Sequence, residues 1–416
     1  MPIDPTTVID RRRLLRIGAG TTTGLLMSAG AAAETLPGPS PIDRGGVKDG
    51  KVAFPPWRGE ADRPDAPRPT VLPPEQRVGF AIVGLGRLSV SEILPAFGEC
   101  GQAKPVALVS GSPEKMSTLA RQHGIAPEAC YGYADFEKLR DNPAVQAVYV
   151  VLPNAMHREY TERAAAIGKH VLCEKPMATS SADARAMIAA CDRARVALMI
   201  AYRIQYQPHH LRVRQFVRDK TFGRLVAFSA GNVQTVHPTG AEQWRHKRAL
   251  SGGGALPDIG LYCLNTARFV SGEEPDEVYA RQFSPAGDPR FAEVEETIDF
   301  MLHFPSGLVA HGMSSYGARE DKWQRLQMER ATLEMPNAYD YEGQRLLIGQ
   351  RRGDDKAQEE LVLQRKNQFA AEMDHFAECI RGGKGPRTPG EEGLRDHVLM
   401  EAIYRSARTS QPVKLG

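Results

Sequence analysis

Between residues 78 and 200 short apolar runs alternate with segments of helical spacing, and this rhythm restricts the chain more than any other feature. The apolar runs lie at 78–83, 106–109, 147–152, 170–173 and 197–200, and the helical patterns near 92–98, 113–123, 156–167 and 182–193. Strand, helix, strand in this order requires a parallel sheet with right-handed crossovers, because parallel neighbours cannot be joined by a tight turn. From about Arg224 the rhythm changes to longer strand-like runs at 225–236, 294–304, 308–315, 323–329 and 331–335, with helices at 256–270, 367–381 and 391–408. The whole therefore reads as an α/β chain whose second, α+β domain is built on a large open, mostly antiparallel sheet. No internal repeat is evident.

The first strand runs straight into Gly84-x-Gly86 and then a helix. Glycines there let the main chain approach a pyrophosphate while the helix amino terminus faces its charge, which is the context of the Rossmann dinucleotide loop. The third glycine position holds Ser89. At the end of the second strand, where a carboxylate would bond a ribose 2′-hydroxyl, the chain reads Val109, Ser110, Gly111, Ser112, with Lys115 following. A missing acid removes repulsion, and a hydroxyl with a nearby lysine favours a 2′-phosphate, so NADP is preferred over NAD. Read as a plain turn, the same residues are compatible with NAD.

Two further stretches carry chemistry. In "CEKPMATS" (173–180) Lys175 follows the carboxyl end of a parallel strand, where ligands bind such sheets. The bland alternative is a surface ion pair with Glu174. In "LSGGGALPDIGLYCLN" (250–265) Asp258 and Tyr262 stand four apart, on one helix face. A phenol beside a lysine ammonium gives up its proton more readily, which suits it to trade a proton with a sugar hydroxyl. An acid in a first helical turn and a core tyrosine would look the same.

Ahead of the alternating domain lie two other segments. Residues 1–33 hold Arg11, Arg12 and Arg13, a weakly apolar run and a small-residue exit at Ala31, Ala32 and Ala33, the order of an export signal. With Thr21, Thr22, Thr23 and four glycines the run is too polar and short for a stable membrane anchor. Arg11 to Arg16 resembles a twin-arginine signal, with Asp10 where Ser or Thr is usual. Residues 34–76 are rich in Pro, Gly and charge, which excludes a regular helix or sheet and leaves a linker or an extended arm anchored by Phe54 and Trp57. The two domains are expected at 77–203 and 204–416. A net charge of +3 without a basic block argues against nucleic acid, and six scattered cysteines argue against a disulfide framework or a metal site.

Gly84-x-Gly86, Asn154 in "LPNAMH", Glu174-Lys175-Pro176 and the Gly252 to Asp258 stretch resemble the Gfo/Idh/MocA oxidoreductases over nearly the whole chain. "VSGSPEK", "QWRHKRALSGGG", "DIGLYCLN", "GEEP" and "TPGEEG" are most similar to its glucose-fructose oxidoreductase branch, and Tyr262 stands where inositol dehydrogenases of the family have histidine. The resemblance implies Lys175 and Tyr262 as the catalytic pair and Asp258 as the residue that orients the sugar. It implies Gly84 and Gly86 at the pyrophosphate, Arg87 and Leu88 also against the cofactor, and Ser110 and Lys115 at the 2′-phosphate. Asn154, His157, Glu174, Lys175 and Arg203 are implied at the rest of the cofactor, and Tyr202, Arg203 and Arg245 in the sugar cleft. It also implies a homo-oligomer, dimer or tetramer, in which the arm crosses to a neighbour. The expected activity is oxidation of an aldose at C1 with reduction of a second sugar; the alternatives are a sugar or inositol dehydrogenase that releases NAD(P)H, and an NAD-dependent glycosidase.

Export and a nucleotide loop pull against each other, since the periplasm offers no free pool of nicotinamide cofactor. A cofactor loaded before export must survive dilution, which takes a dissociation constant near nanomolar, about 12 kcal/mol. Such a cofactor has to be recycled in place by a second sugar, which gives ping-pong kinetics.

Overall fold

The structure is a computed structural model that describes residues 71–415 together with two short strands, β1 (Gly46–Lys48) and β2 (Lys51–Ala53). The export signal at 1–33 and the arm residues Phe54 and Trp57 lie outside the described residues. The expectation that 34–76 holds no regular sheet needs correction, because β1 and β2 pair antiparallel, Gly46 with Ala53 and Lys48 with Lys51. The stretch from 42 to 54 is free of proline, and Asp49-Gly50 between the strands is a strong two-residue hairpin signal.

The first large sheet contains β3 (Val78–Val83), β4 (Ala103–Val109), β5 (Cys130–Tyr131), β6 (Ala147–Val150), β7 (His170–Glu174) and β8 (Leu198–Ala201). All pairings are parallel, in the order β5-β4-β3-β6-β7-β8. Every residue of β3, β6 and β8 is buried, the reason these strands read as unbroken apolar runs rather than alternating ones. A helical segment after β3 begins with a wide π turn (Ser89–Ile93) and continues through α1 (Leu94–Ala96). The crossovers are α2 (Pro113–His123), α3 (His157–Ala166) and α4 (Ser181–Ala194). Ser112 and Ser180 cap α2 and α4 by accepting main-chain N–H bonds from Lys115 and Asp183.

After β8 come α5 (Pro208–Arg218), β9 (Leu225–Thr235), α6 (Arg248–Ser251), α7 (Leu261–Ser271), β10 (Glu277–Phe283), β11 (Thr297–His303) and β12 (Val309–Ser315). They are followed by β13 (Gly317–Met328), β14 (Ala331–Met335), β15 (Leu347–Arg352), β16 (Asp355–Glu360), α8 (Gln368–Gly382), α9 (Gly390–Thr409) and β17 (Val413–Lys414). The second large sheet has the order β16-β15-β14-β13-β9-β12-β11-β10-β17, and only β9 with β12 is parallel. It is thus a mixed, mostly antiparallel sheet of nine strands.

The chain returns to the first sheet at its end. The Asp374 carboxylate on α8 accepts main-chain N–H bonds from Gly101, Gln102 and Ala103 at the start of β4. Phe376 packs its ring 6.3 Å from that of Phe80, and the Ile200 carbonyl accepts a bond from Thr388. The helices 368–382 and 390–409 therefore pack back onto the nucleotide-type sheet although they follow the second sheet in sequence.

Candidate active site

The loop after β3 is shaped by its two glycines. Gly84 has φ +95°, and a Cβ there would stand 2.2 Å from the Val151 carbonyl oxygen, so the crossing of β3 and the β6 loop requires glycine. At Gly86 an added Cβ would meet no atom within 4 Å, which leaves open room for a ligand against the main chain. Arg87 is exposed and Leu88 half-buried beside it. Ser89, in the third glycine position, is buried and donates its hydroxyl to the Gly84 carbonyl at 2.5 Å, tying the helix start to the loop.

At the end of β4 the Ser110 hydroxyl accepts the Ser112 N–H at 3.2 Å, and Lys115 reaches back from α2 to the Leu85 carbonyl at 3.1 Å. The lysine ammonium therefore lies between the glycine loop and the second strand's end. With no carboxylate among residues 109–113, these hydroxyls, Lys115 and Arg87 form a donor set that fits the phosphates of NADP.

A second group of residues meets at the carboxyl edge of the same sheet. Leu256–Gly260 forms a π turn ahead of α7, where Leu261 N–H bonds to Leu256 O. This widened turn leaves carbonyls for side chains to use. The Asp258 carbonyl takes the Lys175 ammonium at 2.7 Å, and the Ile259 carbonyl takes the Asn232 amide at 3.1 Å. Glu295 fixes the start of the turn by accepting N–H bonds from Gly254 and Leu256.

The Asp258 carboxylate is bound on one side only. Its Oδ2 accepts from the Tyr316 hydroxyl at 2.7 Å and from Arg245 Nε at 3.2 Å, whereas Oδ1 has Lys175 Nζ at 3.9 Å. Burial works against its charge, but Arg245 and Lys175, with the bonds from Tyr316 and Arg245, hold the carboxyl below the usual range. The Tyr262 ring carries Lys175 Nζ at 4.6 Å and the Arg203 guanidinium at 4.7 Å from its centroid, and its hydroxyl accepts from Arg203 Nε at 3.2 Å. Two cations thus stand ready to stabilise negative charge on that phenol.

Beneath Lys175 lies a buried acidic pair. The Tyr149 hydroxyl donates to Glu174 at 2.8 Å and lies 3.4 Å from Glu372. Burial, and then the charge of Glu174, pushes the Glu372 carboxyl well up.

The sequence-derived sites fare differently. Lys175, Asp258, Tyr262, Arg203 and Arg245 come together. Arg203, expected at the cofactor and in the sugar cleft, is only 5% exposed and donates to Tyr262, Gln368 and the carbonyls of Tyr339 and Asp340. Its guanidinium thus joins the Tyr262 phenol to the turn after β14 of the second sheet. His157, expected at the cofactor, is fully buried with its ring nitrogens 2.9 and 2.8 Å from the Pro176 and Leu152 carbonyls, so it braces the two loops. Tyr202, expected in the sugar cleft, is buried, and its phenol is turned toward Asp396 of α9. The Asn154 amide donates to the Ser251 carbonyl and Glu174 accepts from Tyr149 and Lys175 N–H, each a brace at the sheet edge. Tyr316 and Glu372 were missed: one sits between β12 and β13, the other mid-helix, and neither has a local motif. Among the described residues no group of three or more His, Cys, Asp or Glu could hold a metal ion, and no helix is long and apolar enough to cross a membrane.

The sequence profile of the GFO/IDH/MocA oxidoreductase family, NAD-binding Rossmann fold, matches residues 78–202, and that of the GFO/IDH/MocA C-terminal domain matches residues 210–334. The D-xylose 1-dehydrogenase [NADP(+)] of Haloarcula marismortui is 31% identical over 363 residues, 86% of this chain and 98% of that protein. The 1,5-anhydro-D-fructose reductase of Ensifer adhaerens is 26% identical, over 81% of this chain and 98% of that protein. A crystal structure of the aldose-aldose oxidoreductase of Caulobacter crescentus complexed with glycerol superposes with a TM-score of 0.78 at 44% identity, covering 82% of this chain and all of that one.

Proposed function

The chain belongs to the GFO/IDH/MocA oxidoreductase family, and from that premise we propose an NADP-dependent enzyme that oxidises an aldose at C1 to the lactone and reduces a second sugar in a ping-pong cycle. The observation that carries this reading is Tyr262 flanked by Lys175 and Arg203, beside an Asp258 carboxylate whose Oδ1 has only the Lys175 ammonium near it, at 3.9 Å. When bound, NADP supplies the ring that accepts the hydride. The chain's own residues handle the proton and the sugar. Tyr262 exchanges a proton with the reacting hydroxyl, Lys175 and Arg203 stabilise the phenolate formed when it gives one up, and Asp258 accepts a bond from a neighbouring hydroxyl. NADP dependence draws support from the Ser110 and Lys115 pair and from the NADP-dependent xylose dehydrogenases among its relatives.

Tight retention of the cofactor, export to the periplasm through residues 1–33 and assembly of copies belong to the same proposal. For assembly, Phe283, Met301 and Val309 lie exposed on one face of the nine-stranded sheet, a surface suited to a second copy. The names of the xylose dehydrogenases favour a second reading, a dehydrogenase that releases its cofactor.

The test gives the purified full chain glucose alone, glucose with fructose, and a nitrophenyl glucoside, with no nucleotide added. Equal amounts of lactone-derived acid and reduced second sugar over many turnovers support the proposal. Turnover that depends on added NADP and accumulates NADPH establishes the releasing dehydrogenase. Free nitrophenol without sugar oxidation establishes a glycosidase.

A further inference from the structure

Tyr316 occupies the corner between β12 and β13 and is 1% exposed. Its main chain is held from both sides, donating to the Glu296 carbonyl at 2.9 Å and accepting from Val236 N–H at 3.1 Å. Its ring packs against Phe291 and, edge-on, against His246, in a small apolar cluster with Ala255 and Ile259. A phenylalanine would fill the same space. The one difference is the hydroxyl, which points out of the cluster to Asp258 Oδ2 at 2.7 Å, with the Gly254 carbonyl a longer second acceptor at 3.4 Å.

That contact decides which carboxylate oxygen is left over. Tyr316 and Arg245 both take Oδ2, whereas the Oδ1 neighbour, Lys175, is beyond hydrogen-bond distance and spends its ammonium on the Asp258 carbonyl. We propose that Tyr316 is a positioning residue that locks the Asp258 carboxylate so that Oδ1 alone is offered to a sugar hydroxyl next to Tyr262. The proposal rests on the sugar-oxidising reading above. Arg245 on the exposed side cannot do this alone: its side chain is 43% exposed, whereas Tyr316 is anchored through its main chain at two points. The charged and titratable groups facing Asp258 are Lys175 from the end of β7, Arg245 and His246 from the segment before α6, and Tyr316. The hydrogen bonds from Tyr316 and Arg245 both favour the ionised carboxylate.

Tyr316→Phe should retain bound nucleotide and lower kcat/KM for the aldose by about tenfold to a hundredfold, the usual worth of a hydrogen bond to a charged group. Most of that loss should appear in KM, and the acidic limb of the kcat/KM profile should move to higher pH, since Asp258 loses a bond that favours its ionised form. In an Asp258→Asn background the same change should cost little more. An equal loss in that background, or an unmoved KM and acidic limb, overturns the proposal. If Tyr316→Phe yields no soluble protein, 3-fluorotyrosine at 316 keeps the packing and strengthens the donor, so the limb should move to lower pH; an unmoved limb again overturns it. Titration calorimetry with glucose separates this from the functional reading. A wild type that binds glucose without turning it over ends that reading, and the weaker binding expected of Tyr316→Phe still decides the proposal. A wild type that binds no aldose overturns both.

Discussion

The nucleotide edge and the catalytic corner share one sheet rim but are built in opposite ways. The edge consists of consecutive residues, 84–89 and 110–115, and works through main chain, glycine and short side chains. The corner gathers Lys175 after β7, Arg203 after β8, Arg245, the Asp258–Tyr262 turn and Tyr316, residues up to 141 positions apart (316 minus 175), and works through long side chains that brace one another. The difference teaches where each region is vulnerable. Damage at the edge should cost cofactor or fold, and damage at the corner should cost chemistry with cofactor still in place.

The largest effect is expected at the corner. Tyr262→Phe should lower turnover by about 10²- to 10⁴-fold, the usual worth of a positioned acid-base group, with nucleotide content unchanged. Lys175→Met should do at least as much, since the ammonium both lies on the Tyr262 ring and holds the π turn by the Asp258 carbonyl. Steady-state kinetics beside nucleotide extraction checks both, and loss of nucleotide from either variant would break the division. At the edge, Ser110→Asp should weaken NADP by about a hundredfold through like-charge repulsion and admit NAD. Mass spectrometry of the released nucleotide reads this; NAD as the main wild-type nucleotide would overturn the assignment of NADP.

Within the edge, two neighbouring glycines sharpen the comparison. Gly84→Ala forces a Cβ onto the Val151 carbonyl at positive φ and should destabilise the fold by about 1–3 kcal/mol. Gly86→Ala meets no protein atom and should lower nucleotide content while leaving the melting temperature of the nucleotide-free protein unchanged. Equal melting behaviour of the two would show that the edge is not shaped as described. The smallest effect belongs outside both regions. His311 bonds Asp299 at 2.8 Å, and that bond raises the imidazole's pKa despite partial burial. A raised histidine value gives stability that is full below its ordinary pKa of about 6.5 and lost as pH rises through the folded value. Both side chains are about half exposed, so Asp299→Asn should cost under about 1 kcal/mol, at low pH only, without touching activity. Thermal melts at pH 5.5 and pH 8.5 test it.

The same contrast governs how much of the molecule was legible in its sequence. The parallel sheet announced itself because strands covered on both faces are unbroken apolar runs, and the glycine loop because it is contiguous. Lys175, Asp258 and Tyr262 stood in short motifs. β15 and β16 were not anticipated, since exposed polar residues, such as those of Asp355–Glu360, carry no apolar pattern. Tyr316 was invisible because its role depends on a contact with a residue 58 positions away. The partners of His157 and Tyr202 were hidden for the converse reason: proximity in sequence to a site does not fix what a side chain packs against.

The central claim is that the corner moves a proton to or from a sugar hydroxyl while a nucleotide held at the edge takes and returns the hydride. The most direct measurement mixes purified protein, with no nucleotide added, rapidly with glucose and follows the near-ultraviolet band of reduced nicotinamide. The account predicts a single-exponential rise to at most one equivalent per chain without a second sugar, a fall when fructose is added, and no rise in Tyr262→Phe on the same timescale. No rise with any aldose, in protein shown to carry NADP, would contradict it.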